Sequence, residues 1–231
     1  MTISYHSPSE CGQSSSSKPH PFKIDRRFDP NAIYGKEFDL NALDYRTGFS
    51  TAVPCPLSAH KCSYCKKLSP HVGALIIAID GACRSTPSVW GPSSIGVFFA
   101  KDSPWNIVKR SSKPAAVSQR AELQACLAAL QMAVTIKVEK LEEELTQIVI
   151  KAHSEYVCRG MTEWVGKWKK TGWLNAKGIP VANGDLFQDV EKVILRLNEM
   201  GVEVLFWQVV RERNVEAEGL ASSAFEGVRK P

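Results

Sequence analysis

Asp80 closes an almost wholly apolar run, GALIIAIDGACR over 73–84. The stretch Ala74–Ile79 reads as a strand buried on both faces. A lone charge ending such a strand must reach solvent at the sheet edge or be neutralised, because burying it unpaired is strongly unfavourable. A metal ion or a catalytic partner would do this, and a surface Asp-Gly turn is the plainer alternative. Three other residues sit at comparable places. Glu122 falls in the first turn or two of an apolar helical pattern, where a carboxylate suits the helix dipole. His153 lies just past a second apolar strand run, and Glu218 near the start of the last helical segment. Two strand ends and two helix starts form a site carried on rigid elements. Taken singly, Glu122 and Glu218 also fit solvated helix positions.

Two further groupings could do chemistry. In CPLSAHKCSYCKKLSPH (55–71), Cys62 and Cys65 are spaced as in a zinc knuckle, with Cys55, His60 and His71 nearby. Thiolates and imidazoles at such spacing can complete a tetrahedral Zn²⁺ site. A second CxxC or HxxxH pair is missing, and free thiols in a linker are the alternative. Arg159, Lys167, Lys169, Lys170 and Lys177 stand against one acid, Glu163, and interleave with Trp164, Trp168 and Trp173. A basic, aromatic ridge can grip a phosphate backbone, and a wide minor groove lined by 2′-hydroxyls is read by shape. The spacing of Trp164 and Trp168, four apart, also fits core packing, which would leave the lysines as a solvated face.

The elements that must position these residues follow from periodicity. Strands are expected over 74–80, 94–100 and 106–110, joined by short turns as an antiparallel meander. A helix is expected over 118–134 with Ser118 as a cap, then a strand over 146–152 and a helix over 154–170. A strongly amphipathic helix over 186–200 ends at Gly201, followed by a strand over 202–210 and a helix over 215–227. Residues 1–54 lack sustained periodicity and read as a disordered tail, 55–71 as a Cys/His-containing linker, and 72–231 as the folded domain.

Composition bounds the function. The chain has 231 residues, 44% hydrophobic, with six Trp, enough for a sizeable core. Its net charge is +5, but residues 1–70 hold nine Lys/Arg against six Asp/Glu, leaving 20 against 18 for the rest. Nucleic-acid binding must therefore rest on a local patch. The N-terminus lacks the apolar segment and basic start of a secretory signal. No apolar run approaches the roughly 18–20 residues that span a membrane. Seven Cys without an export signal suggest reduced thiols and an intracellular setting, nucleus or cytoplasm.

Five ordered segments resemble the ribonuclease H family, type 1, of the fungal and eukaryotic sort. They are IDGAC, SQRAELQACLAAL, HSEYVCRGMTEWVGKWKKTGW (153–173), IPVANGDLFQDV (179–190) and RERNVEAEGLA (211–221). The resemblance covers about residues 72 to 227. It implies a ribonuclease H-like α/β fold, a five-stranded mixed sheet flanked by helices. It also implies an endonuclease, a monomer away from membranes, that hydrolyses the RNA strand of RNA–DNA hybrids with Mg²⁺ or Mn²⁺. By position, Asp80 would bridge the metals, Glu122 and Glu218 would be ligands, and position 153 would hold a further catalytic ligand. The chain departs from the family's pattern at two of these positions. His153 stands where the family has Asp, which removes a negative charge and an oxygen donor. Glu218 replaces Asp and adds a methylene, and a displacement of about 1 Å can cost on the order of 10²-fold in rate. Glu155, two residues on from His153 at a helix start, is expected to point elsewhere. The Asn-Gly that usually follows the first motif is replaced by RSTPSVWG, and no His follows residue 153. Arg211 or Arg213 could bind phosphate where some members use that His. The alternative function is a catalytically inactive module that binds nucleic acid or protein.

Overall fold

The structure, a computed structural model, describes residues 25–40, 43–56, 71–84, 91–111, 118–141 and 145–226. Its centre is a five-stranded sheet in the order β5-β4-β3-β6-β7. The strands are β3 (Ala74–Cys83), β4 (Ser93–Phe98), β5 (Ile107–Arg110), β6 (Gln147–Ala152) and β7 (Glu203–Gln208). β3, β4 and β5 form the expected antiparallel meander, while β3, β6 and β7 run parallel. The sheet is therefore mixed, as expected. β3 runs three residues beyond its expected end, because Gly81, Ala82 and Cys83 keep pairing with Ile95, Ser94 and Ser93.

Alternation along β3 divides the core in two. Leu75, Ile77 and Ile79 face one layer with Ile148, Ile150, Val204 and Phe206. That layer is covered by helix α2 (Ser118–Val138), by residues 155–170 and by α5 (Gly184–Glu199). α2 is long and apolar enough, by length and composition alone, to cross a membrane. Here Leu123, Cys126, Leu130, Ala133 and Ile136 are all buried in this layer. The segment 155–170 is helical as expected, but it is α3 (Glu155–Arg159), a π-helical turn (Gly160–Trp164) and α4 (Val165–Lys170). At Gly160 a side chain would collide with the Phe187 ring, 2.3 Å from an added Cβ, so glycine lets α5 press against the π turn.

Ala74 and Ile76 face the opposite layer with Val149, Leu205 and Trp207. Helix α6 (Val215–Ser223) covers the β3–β4 end of this face, and Ser94 Oγ donates to the Ala221 carbonyl at 2.6 Å. The β6–β7 end is covered by a strap from the N-terminal part of the chain, which corrects the expectation of a tail over 1–54. Residues 25–54 that fall within the described structure are folded. They contain α1 (Pro30–Tyr34), β1 (Tyr45–Thr47) and β2 (Ser50–Ala52), and Phe28, Leu43 and Val53 are buried against the sheet. Phe28 N–H donates to Phe206 O at 2.9 Å, and Phe206 N–H to Arg26 O at 2.7 Å, so the strap pairs parallel with the β7 edge. An exposed edge invites pairing with another chain, and this one is covered from within. The charge of Lys151, buried on β6, is met by Asp44 Oδ2 at 2.6 Å.

Candidate active site

Asp80 pairs directly with Gly96 across β3 and β4, so both face α6. A Cβ on Gly96 would lie 2.3 Å from the Ala217 carbonyl oxygen and 2.5 Å from Ala221 N. Gly96 therefore lets α6 settle on the sheet and brings Glu218 toward Asp80. Gly81 does the same on the other face. A Cβ there would lie 2.2 Å from Glu122 N and 2.4 Å from the Ala121 carbonyl carbon. The backbone of α2 thus packs on the residue following Asp80, which carries Glu122 to the site. Asn214, fully buried just before α6, donates from Nδ2 to the Ile79 carbonyl at 2.9 Å. That bond fastens the start of α6 one residue from Asp80.

The side chains are individually engaged. Asp80 is 5% exposed, and its Oδ1 has no hydrogen-bond partner. His153 Nδ1 is 3.1 Å from that oxygen, close enough for charge attraction but without hydrogen-bond alignment. Burial pushes the Asp80 carboxyl up to about 6; His153 and Arg211 oppose the shift, while Glu122 and Glu218 add to it. Glu122 is buried and accepts from Ser154 Oγ at 2.6 Å. The same Oγ accepts from Val157 N at 3.3 Å and caps α3. Glu218 accepts from Arg211 Nε at 3.0 Å on both oxygens and from Arg211 Nη2. That bonding holds the Glu218 carboxyl below its usual range. Glu155 points to Arg159 Nη1, 2.7 Å away, as expected of a residue outside the site.

The four expected residues thus gather at one end of the sheet. Asp80, Glu122 and Glu218 are the hard oxygen donors that Mg²⁺ or Mn²⁺ takes, and the partnerless buried Asp80 Oδ1 suits a cation. The donor set fits such an ion by chemistry. Among the described residues, however, no three His, Cys, Asp or Glu side chains are close enough together to hold one. Glu122 is engaged by Ser154 and Glu218 by Arg211. Cys62 and Cys65 of the expected zinc knuckle lie outside the described residues.

The basic ridge is partly committed to internal pairs. Arg159 bonds Glu155 and Glu163, and Lys169 Nζ bonds Glu191 at 2.9 Å. Glu191 is buried and also accepts from Arg26. Arg213 Nη1 donates to the Leu40 carbonyl at 3.0 Å. Lys167, Lys170 and Lys177 are exposed. The tryptophans form a packing ladder, Trp164 to Trp168 at 5.7 Å and Trp168 to Trp173 at 6.2 Å, with Trp168 edge-on to Phe187 at 5.0 Å. Core packing is therefore their first role.

The sequence reading left out Ser154, Asn214 and the two glycines. Ser154 and Gly81 adjoin residues already singled out. Asn214 lies inside a quoted motif, while Gly96 has no local signal, because its role depends on a helix more than 100 residues away.

Comparison with known proteins agrees with this fold. The RNase H family model matches residues 73–210. Ribonuclease H of Alcanivorax borkumensis is 29% identical over 160 residues, covering 67% of this chain and 93% of that protein. Ribonuclease H of Erythrobacter litoralis is 33% identical over 142 residues, covering 62% and 85%. Both relatives are bacterial. A foamy viral protease-reverse transcriptase, solved in complex with an RNA/DNA hybrid, superposes with a TM-score of 0.50 at 20% identity, over 76% of this chain and 23% of that one. The family match spans β3 through β7, including three of the four gathered residues, and on that ground the chain belongs to the RNase H family.

Proposed function

We propose that this protein is a type 1 ribonuclease H that hydrolyses the RNA strand of RNA–DNA hybrids with a divalent cation. The observation that carries the reading is Asp80: a buried carboxylate with a partnerless oxygen, approached by Glu122 and Glu218 through glycine-permitted contacts on both faces of the sheet. Asp80 and Glu122 would hold Mg²⁺ or Mn²⁺, with Glu218 as a further donor. When bound, the ion supplies Lewis-acid stabilisation of charge on the phosphodiester and activation of water. The protein's own residues orient these donors: Ser154 fixes Glu122, and Asn214 fixes the approach of α6. Lys167, Lys170 and Lys177 would meet the phosphate backbone of the nucleic acid.

His153 weakens the site for Mg²⁺. It places an imidazole where a second strand-end carboxylate would add charge, and its contact with Asp80 competes for the oxygen the cation needs. Activity is therefore expected to be low in Mg²⁺ and higher in Mn²⁺, which accepts nitrogen more readily. The same contact, with Arg211 on Glu218, supports a second reading as a non-catalytic hybrid-binding module.

Incubating the full chain with a labelled hybrid in Mg²⁺ and in Mn²⁺ separates the two. The nuclease reading expects cleavage that Asp80→Asn lowers at least 10²-fold and His153→Asp raises in Mg²⁺. Hybrid binding without cleavage by the native chain in either metal would favour the binding module.

A further inference from the structure

The turn that leads into α6 is fixed at its C-terminal end. Residues Arg211–Arg213 form a single 3₁₀ turn, and Asn214 N–H closes it on the Arg211 carbonyl at 2.9 Å. Arg213 ties it to the strap through the Leu40 carbonyl, and Asn214 ties it to β3 through the Ile79 carbonyl. Arg211, between these anchors and Val210, is presented toward Glu218. Its guanidinium meets both carboxylate oxygens, a fork-like engagement that a lysine could not reproduce. Arginine stays charged at every working pH, so deprotonation does not release the pair.

The charge pattern around the site is consistent with this. Asp80 faces His153 and Glu218 faces Arg211, while Glu122 accepts from the neutral hydroxyl of Ser154. The protein thus meets the charge of the α6 carboxylate with its own cation. Glu218 has 28% of its side chain exposed and Arg211 65%, so the pair lies near solvent. Pairs so exposed are individually weak, so this contact can open.

We infer that Arg211 is a built-in counter-cation that withholds Glu218 from the metal, so that Asp80 and Glu122 load the ion and Glu218 becomes a ligand only when the Arg211 contact opens. The inference rests on the metal-dependent reading above and goes beyond it, because it assigns Arg211 a regulatory role over ligand number.

Binding of Mn²⁺ to the full chain, followed by electron paramagnetic resonance of the free ion, tests this without using activity. Arg211→Ala is expected to tighten Mn²⁺ binding by roughly 5- to 50-fold, the size of an ordinary coupling between two sites. Arg211→Lys, which keeps the charge but loses the fork, should fall between the two. The gain of Arg211→Ala should vanish in the Arg211→Ala/Glu218→Gln double variant, measured against Glu218→Gln alone. Unchanged or weaker binding in Arg211→Ala overturns the inference, and so does a Glu218→Gln loss as large as that of Asp80→Asn. If no variant binds Mn²⁺, the metal-dependent reading falls with it. Circular dichroism confirms that each variant is folded, which the exposed position of Arg211 leads one to expect.

Discussion

Asp80 destabilises the metal-free protein at neutral pH. Its carboxyl titrates near 6 in the folded chain against 3.8 in the unfolded one, because of burial and the neighbouring Glu122 and Glu218. The folded state therefore holds the extra proton between those values. The stability this contributes is fully present below about 3.8 and is lost as pH rises through about 6. At pH 8 the penalty is on the order of 3 kcal/mol, given about 1.4 kcal/mol per unit. Asp80→Asn should accordingly raise the melting temperature of the metal-free chain at pH 8 by several degrees, with the gain shrinking toward pH 5. Thermal unfolding followed by circular dichroism checks this, and a variant no more stable than the native chain at pH 8 would count against the burial argument. At this scale the sequence was informative about residue types. Asp80, Glu122, His153 and Glu218 were all named from it and lie at one end of the sheet, although no three of them come close enough to hold an ion. The bond of Arg211 to Glu218 was not legible, because it depends on how the 3₁₀ turn aims a side chain.

Two glycines set how closely the helices approach, and through them the spacing of the carboxylates. Gly81→Ala forces a methyl group into the backbone of α2 at Ala121 and Glu122. Overpacking of this kind costs about 1–3 kcal/mol, and here it also moves Glu122, so stability and hybrid cleavage should fall together. Gly219 is the matched control, since an added Cβ on this residue of α6 meets nothing within 4 Å. Gly219→Ala should instead stabilise by up to roughly 1 kcal/mol through helix propensity. Equal behaviour of the two variants in thermal unfolding would remove the close-approach argument. The order of the strands and helices in the domain was legible because each carries its own period. The π turn was not: Gly160–Trp164 continues a helical pattern, and only the packing of Phe187 against Gly160 distinguishes it.

At the scale of the whole molecule, the strap is the part the sequence concealed. Its hold on the sheet comes from separated anchors, Phe28, Leu43 and Val53, and from backbone pairing with β7, none of which repeats at a helical or strand period. The strap also touches the turn that leads into α6, since Arg213 reaches the Leu40 carbonyl. Phe28 packs on Trp207 with ring centroids 5.6 Å apart. Phe28→Ala should cost about 3–5 kcal/mol and lower the melting temperature in one cooperative transition. A separate early transition, or no change, would show that the strap is not part of the folding unit. The central claim is the proposed role of Asp80 in cleaving the RNA strand of a hybrid. Its most direct measurement uses a hybrid labelled on either the RNA or the DNA strand, incubated with the native chain and with Asp80→Asn in Mn²⁺. The account predicts cleavage of the RNA strand alone, abolished by Asp80→Asn. Cleavage of the DNA strand, or RNA cleavage that survives Asp80→Asn, would contradict it.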